Sequence, residues 1–432
     1  MPESAISIRG DSVGCPFCGL ACDDIGISTE SAAVAVTANG CARSRAAFAR
    51  SATAAPATAR IAGKPAAPAA AAQEVAHMLM RAELPLIAGL ATDVAGMRAA
   101  LELADRVGMV VDHMNAPARL RNLAVVQSGG WTTTTLSEVR NRADLLLVVG
   151  GDIVSRFPRF FERCVWNTET LFTTGRPARE IIYLGDVADT SAGVAPSGRP
   201  PETIACANEQ LHEVFSALLA LLRGRPLAAG RFGGVPRATL ERLLERMRSA
   251  TYGVAVWSAA DLDFPHAELT IEALAELITA LNRDTRFVGL PLGGSDGDNT
   301  ASQVTLWHTG FPLRTSLATG HPVCDPLHFD TQRLLANGEA DALLWISSFD
   351  PARKPPPCGA GTRSVVLGHA AMQLDAEPDV FIPVGTPGVD HAGHCMRSDD
   401  TVIVPLTRLR DSGLPSVAET LGAVLQALEA SC

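Results

Sequence analysis

Residues 84–111 read LPLIAGLATDVAGMRAALELADRVGMVV, and their pattern changes twice along the way. Residues 84–90 form an apolar run without alternation. Residues 94–107 repeat their apolar positions at a period near 3.6, which predicts a helix. Met109-Val110-Val111 is a second apolar run. Strand, helix and strand in that order, with strands that carry no polar face, suit a parallel sheet covered by helices.

The alternation continues outward from this unit. Residues 144–150 (DLLLVVG) and 180–185 (EIIYLG) read as strands, and residues 208–223 and 238–249 as helices. A strand over 252–257, a helix over 270–282 and a strand over 285–290 follow. Later strands are predicted over 342–346, 364–367 and 380–383, with a closing helix over 416–430. The expected fold class is therefore α/β: a small N-terminal Cys-rich β cap followed by two Rossmann-like α/β lobes with largely parallel sheets. The expected division is 1–55 for the cap, 56–200 and 201–370 for the lobes, and 371–432 for a C-terminal segment that returns to pack on them. Between cap and first lobe lies SATAAPATARIAGKPAAPAAAA, residues 51–72. It can be read as a linker. A hairpin through Ile61-Ala62-Gly63-Lys64 feeding an Ala-rich helix fits better, because Val75, Leu79 and Ala82 continue a helical stripe.

Composition narrows the function classes. The chain has 432 residues, enough for about two to four domains. Its formal charge is −10, which repels phosphate backbones and argues against a nucleic-acid partner. No apolar stretch reaches the roughly 18–20 residues that cross a bilayer, and MPESAISIRG lacks the apolar core of a signal peptide. A cytoplasmic protein is expected, in which ten cysteines stay reduced unless they bind metal.

Four of those cysteines form a pattern. Cys15-Pro-Phe-Cys18-Gly-Leu-Ala-Cys22-Asp-Asp is followed by Cys41, a spacing of C-x2-C-x3-C-x18-C. Two short strand-like runs, 24–28 and 33–37, accompany it. Four converging thiolates can hold a [4Fe–4S] cluster or a tetrahedral zinc. A structural zinc site usually pairs two C-x2-C units, and here the second half is a single cysteine, which favours iron–sulfur. A metal-free remnant is the third reading. Pro16 and Gly19 permit the turns of a tight loop, the fourth cysteine is expected from a later strand, and Arg43 can offset thiolate charge. Cys164, Cys206, Cys324, Cys358, Cys395 and Cys432 have no ligand-like spacing and read as small buried hydrophobes.

Other candidates are weaker. Gly293-Gly294-Ser-Asp296-Gly-Asp298 follows a predicted strand, where Gly-rich backbone can cradle phosphate, and Gly150-Gly151-Asp152 is similar. Both also read as ordinary turns. His113 is either a residue of a polar pocket or a loop histidine. His391-x-x-His394-Cys395 is either a metal triad or a structured loop. The sequence contains no Walker A loop, no Gly-x-Ser-x-Gly elbow and no His-Glu-x-x-His, so hydrolytic chemistry has no evident place in it.

The cysteine motif at the head of an α/β chain resembles the molybdopterin oxidoreductase superfamily, and within it the start of the B subunit of formylmethanofuran dehydrogenase. Residues 135–144 (TLSEVRNRAD), 303–312 (QVTLWHTGFP) and 334–343 (LLANGEADAL) are similar to stretches of that family. So is the segment from 381–383 through 390–393. The resemblance thus covers nearly the whole chain. It implies one of two roles. In methanogens this subunit holds a molybdenum or tungsten bis-pterin centre and reduces CO2. In aerobic one-carbon-oxidising bacteria a related subunit sits in a formyltransferase/hydrolase complex. There a formyl group passes from tetrahydromethanopterin to a methanofuran-type carrier and is hydrolysed to formate. The catalysts implied are a zinc amidohydrolase-like A subunit and a formyltransferase D subunit, assembled with a C subunit.

In the redox members a cysteine or selenocysteine followed by His binds the metal, upstream of the TLSEVRNRAD-like stretch. Residues 109–120 here contain no cysteine, and none lies between 41 and 164. The resemblance therefore implies a non-redox structural subunit of the hydrolase type. Cys15, Cys18, Cys22 and Cys41 are its expected [4Fe–4S] ligands. Gly293, Gly294 and Asp296 are a vestigial pterin-facing loop, with no Mo/W bis-pterin and no catalytic residue in the chain. The rival reading is a redox-active B subunit with both centres. A stand-alone electron-transfer protein would leave most of the chain without a purpose.

Overall fold

The computed structural model describes residues 12–29, 34–50, 58–172 and 178–431. Residues 51–57 of the Ala/Pro stretch, Ala33 of the second cap run, and Cys432 fall outside them. The chain divides into two compact units: residues 1–116 together with 294–432, and residues 117–293.

The stretch 84–111 folds as its pattern predicts. Strand Pro85–Ala91 is buried at every position, and helix Val94–Val107 follows it. The Asp93 carboxylate starts that helix by accepting from the Gly96 N–H at 3.0 Å, a first-turn donor that otherwise has no partner. Gly108 ends it in a left-handed conformation, φ +78°, which favours a residue without a Cβ. Strand Val110–Val111 then lies parallel to Pro85–Ala91.

In the first unit nine strands form one sheet. Its centre is parallel and runs, in spatial order, Val110–Val111, Pro85–Ala91, Ala342–Ser347, Arg363–His369 and Val380–Val384. Antiparallel strands border it on both sides. One border is the hairpin Arg60–Ile61/Lys64–Pro65, which leads into helix Pro68–Arg81. Alternate residues Leu86 and Ala88, Leu343 and Trp345 share a core with Leu334 and Leu335 of helix Thr331–Ala336. The closing helix Val417–Ser431 packs on helices Pro68–Arg81 and Val94–Val107. The three-stranded cap sheet, Ser12–Val13, Ile25–Ser28 and Ala35–Ala38, belongs to the same unit.

The second unit is built on a five-stranded parallel sheet. Its order is Glu202–Ile204, Glu180–Leu184, Leu145–Val149, Gly253–Trp257 and Phe287–Pro291, so the chain reverses direction between the third and fourth, as in doubly wound folds. Helices Leu211–Leu222, Arg237–Ser249 and Ala267–Leu281 supply Phe215, Leu240 and Ile271 to its core.

Two Rossmann-like sheets and a Cys-rich cap were expected and are present, but the division at residue 200 requires correction. Strand Pro85–Ala91 pairs with Ala342–Ser347, and Leu145–Val149 pairs with Gly253–Trp257. The first unit is thus split in sequence and the second is inserted into it. The segment after residue 371 also contributes a central strand, Val380–Val384, to the first sheet. Uniformly apolar runs identify strands buried on both faces, but they do not encode which strand pairs with which. No described helix is long and apolar enough to cross a membrane.

Candidate functional site

Three of the four motif cysteines occupy the loop between Ser12–Val13 and Ile25–Ser28. The loop closes on itself: Cys15 N–H donates to the Cys22 carbonyl at 2.8 Å, and Ala21 N–H to the Cys18 carbonyl at 3.1 Å. Cys15, Cys18 and Cys22 are 4%, 7% and 5% exposed. The left-handed turn falls on Ala21, φ +42°, and not on Gly19. Gly19 meets a different need. A Cβ on Gly294 would lie 2.6 Å from the Gly19 Cα, so two backbones approach there with no room for a side chain. Cys41 was expected from a strand; it is instead the N-cap of helix Ala42–Phe48, its Sγ accepting from the Ser44 N–H at 3.4 Å.

The charges of these thiols act on one another. Burial pushes the Cys15 thiol well above its ordinary value, and Cys18, Cys22 and Cys41 add to the effect. Cys18 is pushed up to about 12, chiefly by burial and then by Cys22, while Arg43 pulls the other way. Mutually close, buried thiols disfavour thiolate, unless a cation takes up the charge. Among the described residues no three His, Cys, Asp or Glu side chains are grouped to hold a single metal ion. A tetrahedral zinc with Zn–S bonds of about 2.3 Å needs such a grouping. A cubane takes four thiolates, one to each iron, and the donor set of Cys15, Cys18, Cys22 and Cys41 is of that chemistry.

The hairpin Gly393–Met396/Ile403–Leu406 clasps the cysteine loop. Ser398 N–H donates to the Gly19 carbonyl at 2.7 Å. A Cβ on Gly14 would fall 2.5 Å from the Pro405 carbonyl oxygen, and Cys395 packs with Ala21, Val404 and Leu406.

A buried polar network in the same unit follows strand Val110–Val111. His113 is 1% exposed. Its Nδ1 accepts from the Asn115 N–H at 2.9 Å, so Nε2 carries the proton and donates to the Asp296 carbonyl at 3.2 Å. Asp296, left-handed at φ +52°, has its Oδ2 at 3.2 Å from Asn115 Nδ2 and 3.0 Å from the Arg353 guanidinium. Asp112 accepts from the His113 N–H at 2.9 Å and from Thr331 N–H and Oγ1 at 3.0 and 2.7 Å. Arg314 lies 3.5 Å from the Asp112 carboxylate and also pairs with Asp330. Burial raises Asp112 to about 6 against the pull of Arg314. His113 is thus a histidine of the loop after strand Val110–Val111, buried, with both ring nitrogens held by this chain's own groups.

The Gly-rich loop joins both features. Gly294 abuts Gly19, and Asp296 holds His113. Gly293 falls in the second unit. The Gly294 N–H, which an anion would need, is already given to Asp298 Oδ1 at 2.6 Å. The loop is thus filled by this chain's own carboxylate, an arrangement that does not fit a phosphate cradle.

No protein-family model matches the chain. Over 359 residues it is 29% identical to the B subunit of the formyltransferase/hydrolase complex Fhc of Methylorubrum extorquens, covering 82% of this chain and 92% of that one. It is 28% identical over 404 residues to the B subunit of the tungsten-containing formylmethanofuran dehydrogenase 2 of Methanocaldococcus jannaschii, covering 91% and 92%. Among solved structures it is similar to a chain of the Methylorubrum extorquens complex, crystallised with methylofuran, with TM-score 0.73 and 26% identity over 87% of this chain and 99% of that one. The chain is a homologue of the formylmethanofuran dehydrogenase B subunit. In this B-subunit homologue, residues 109–120 hold no thiol, and the Met114 sulfur accepts from Arg353 Nε at 3.1 Å. That donor set does not fit a soft metal anchored by a protein thiolate.

The remaining candidates of this B-subunit homologue do not converge. His394 is exposed and Cys395 buried on successive positions of one strand, so they face opposite ways, while His391 Nδ1 sits 2.9 Å from the Ala392 carbonyl. After Gly150, φ +76°, Asp152 Oδ1 accepts from the Ser155 N–H at 3.0 Å, an ordinary turn. Cys164 and Cys206 are buried as expected, whereas Cys324 and Cys358 are half-buried. Sequence reasoning missed Asp112, Arg314 and Arg353, whose partners are distant in the chain. Cys395, read both as a small buried hydrophobe and as the end of a His-x-x-His-Cys triad, is buried as the first reading expected.

Proposed function

We propose that this chain is the B subunit of a formyltransferase/hydrolase complex in tetrahydromethanopterin- and methanofuran-linked one-carbon metabolism, the oxidation of formaldehyde to formate. It acts there as a non-redox structural subunit in the cytoplasm. Its α/β units dock an amidohydrolase-like A subunit, a C subunit and a formyltransferase D subunit, and the chemistry resides on those partners. The observation that supports this most is the region 109–120. Where the redox relatives' thiolate is implied there is none, and His113 is tied on both ring nitrogens, to Asn115 and Asp296. Cys15, Cys18, Cys22 and Cys41 would hold a [4Fe–4S] cluster, which supplies structural stability to a small cap and, when reducible, one electron.

Similarity to the B subunit of the tungsten-containing enzyme keeps a second reading, a redox-active chain with a Mo/W bis-pterin. Purification of the intact complex through a tag on this chain separates them. The proposal expects amidohydrolase-like and formyltransferase-like chains to co-purify, with iron at about four per chain and no molybdenum or tungsten. Stoichiometric tungsten or molybdenum would replace it with the redox reading, and a chain that purifies alone would remove the structural role.

A further inference from the structure

Residues 350–358, DPARKPPPC, follow strand Ala342–Ser347 and are tied down along their length. Asp350 pairs with Arg50 at 3.2 Å, and the Arg353 carbonyl accepts from Trp345 Nε1 at 3.1 Å. Lys354 pairs with Asp375 at 2.6 Å, and three prolines stiffen the chain between it and Cys358. From this segment the Arg353 side chain reaches two other loops, the one after strand Val110–Val111 and the Gly-rich one. Its Nε donates to Met114 Sδ at 3.1 Å. Its Nη2 lies 2.5 Å from Asn115 Oδ1 and 3.0 Å from Asp296 Oδ2. The Asn115 amide closes the ring, its Nδ2 donating to Asp296 Oδ2 at 3.2 Å and to the Ser295 carbonyl at 2.9 Å. His113 Nε2 holds the Asp296 carbonyl in turn. All of these residues belong to the first unit.

A thioether, an amide oxygen and a carboxylate meet the N–H groups of one planar cation here. That arrangement suits the fork of a guanidinium and not an ammonium, which is a point charge on a flexible stem. We propose that Met114, Asn115 and Asp296 form a guanidinium-binding pocket, and that Arg353 is its internal ligand, latching the segment 350–358 to the two loops. The latch sets a fixed organic cation against the region 109–120, where the redox relatives are implied to anchor a metal. The inference uses none of the motif cysteines and no partner subunit, so its failure is separate from failure of the cluster or of the structural role.

The test uses the full-length chain and reads release of the segment at Cys358, which is half-buried at its end. The rate at which a thiol reagent modifies Cys358 is followed by peptide mass spectrometry in wild type, Arg353→Ala and Arg353→Lys, with far-UV circular dichroism to show that each folds. Arg353→Ala is expected to react about tenfold faster, having lost hydrogen bonds to a charged group. N-ethylguanidinium, which replaces the atoms removed, is expected to slow it again, at a concentration that leaves wild type folded. Ethylammonium at the same concentration is expected not to. Arg353→Lys keeps the charge and is expected to react nearly as fast as Arg353→Ala. An unchanged rate in Arg353→Ala overturns the latch. Equal slowing by the two cations, or by neither, overturns the guanidinium pocket. If Arg353→Ala does not fold, Arg353→Lys carries the comparison with wild type, and a wild-type rate in it overturns the proposal.

Discussion

Asp112 is a buried carboxyl held by donors from His113, Thr331 and Arg314. Its folded-state pKa, about 6, lies above the ordinary 3.8 because burial outweighs Arg314 and the Thr331 hydrogen bonds. Folding therefore favours the protonated form. The stabilisation from this group is complete below pH about 4 and is lost as pH rises through about 6, a change of about 2–3 kcal/mol. Urea titrations between pH 4 and 7 should show that slope in the wild type and not in Asp112→Asn. Ala62 offers a simpler case. It is exposed in the hairpin turn at φ +47°, where a Cβ is unfavourable, so Ala62→Gly should raise stability by about 0.5–1 kcal/mol in thermal melts. That turn was legible in the sequence because Ala62-Gly63 sits between matched short runs. The network of His113 was not: the acceptor on Asp296 is 183 residues away, and nothing local to His113 points to it.

At the scale of elements, the contact between the cysteine loop and the C-terminal hairpin depends on a missing side chain. Gly14→Ala would place a methyl 2.5 Å from the Pro405 carbonyl, an overlap that costs about 1–3 kcal/mol and pushes the hairpin off the loop. The expected readout is faster reaction of buried Cys18 and Cys395 with a thiol reagent; unchanged rates would show that the clasp does not depend on this contact. Elements whose buried residues are apolar were readable in advance. Helix Val94–Val107 and strands Leu145–Val149 and Val380–Val384 fall within a residue or two of their predicted places. Helix Asp298–Thr309 was not anticipated. It buries Asp298, Asn299, Thr300, Ser302 and Thr305 beside Ala301 and Val304, so its inner face is mostly polar and gives little apolar period to read. Strand identity was thus legible, while the pairing of strands and the helices with polar inner faces were not.

For the whole molecule, the insertion of one unit into the other makes a direct prediction. Residues 117–293 contain a complete parallel sheet with its own apolar core, drawn from Val125 to Phe287. Expressed alone, this segment should melt cooperatively by circular dichroism, being within the ordinary size of a domain. Residues 1–116 alone should not, since their central strand Pro85–Ala91 lacks its neighbour Ala342–Ser347. The same arrangement orders events on the ribosome. Cys22 leaves the tunnel long before Leu406, the last residue of the hairpin that covers its loop. At synthesis rates of about 5–20 residues per second, the thiols wait roughly 20–75 s for their lid. Any centre delivered to them has that interval of open access, and so has any oxidant.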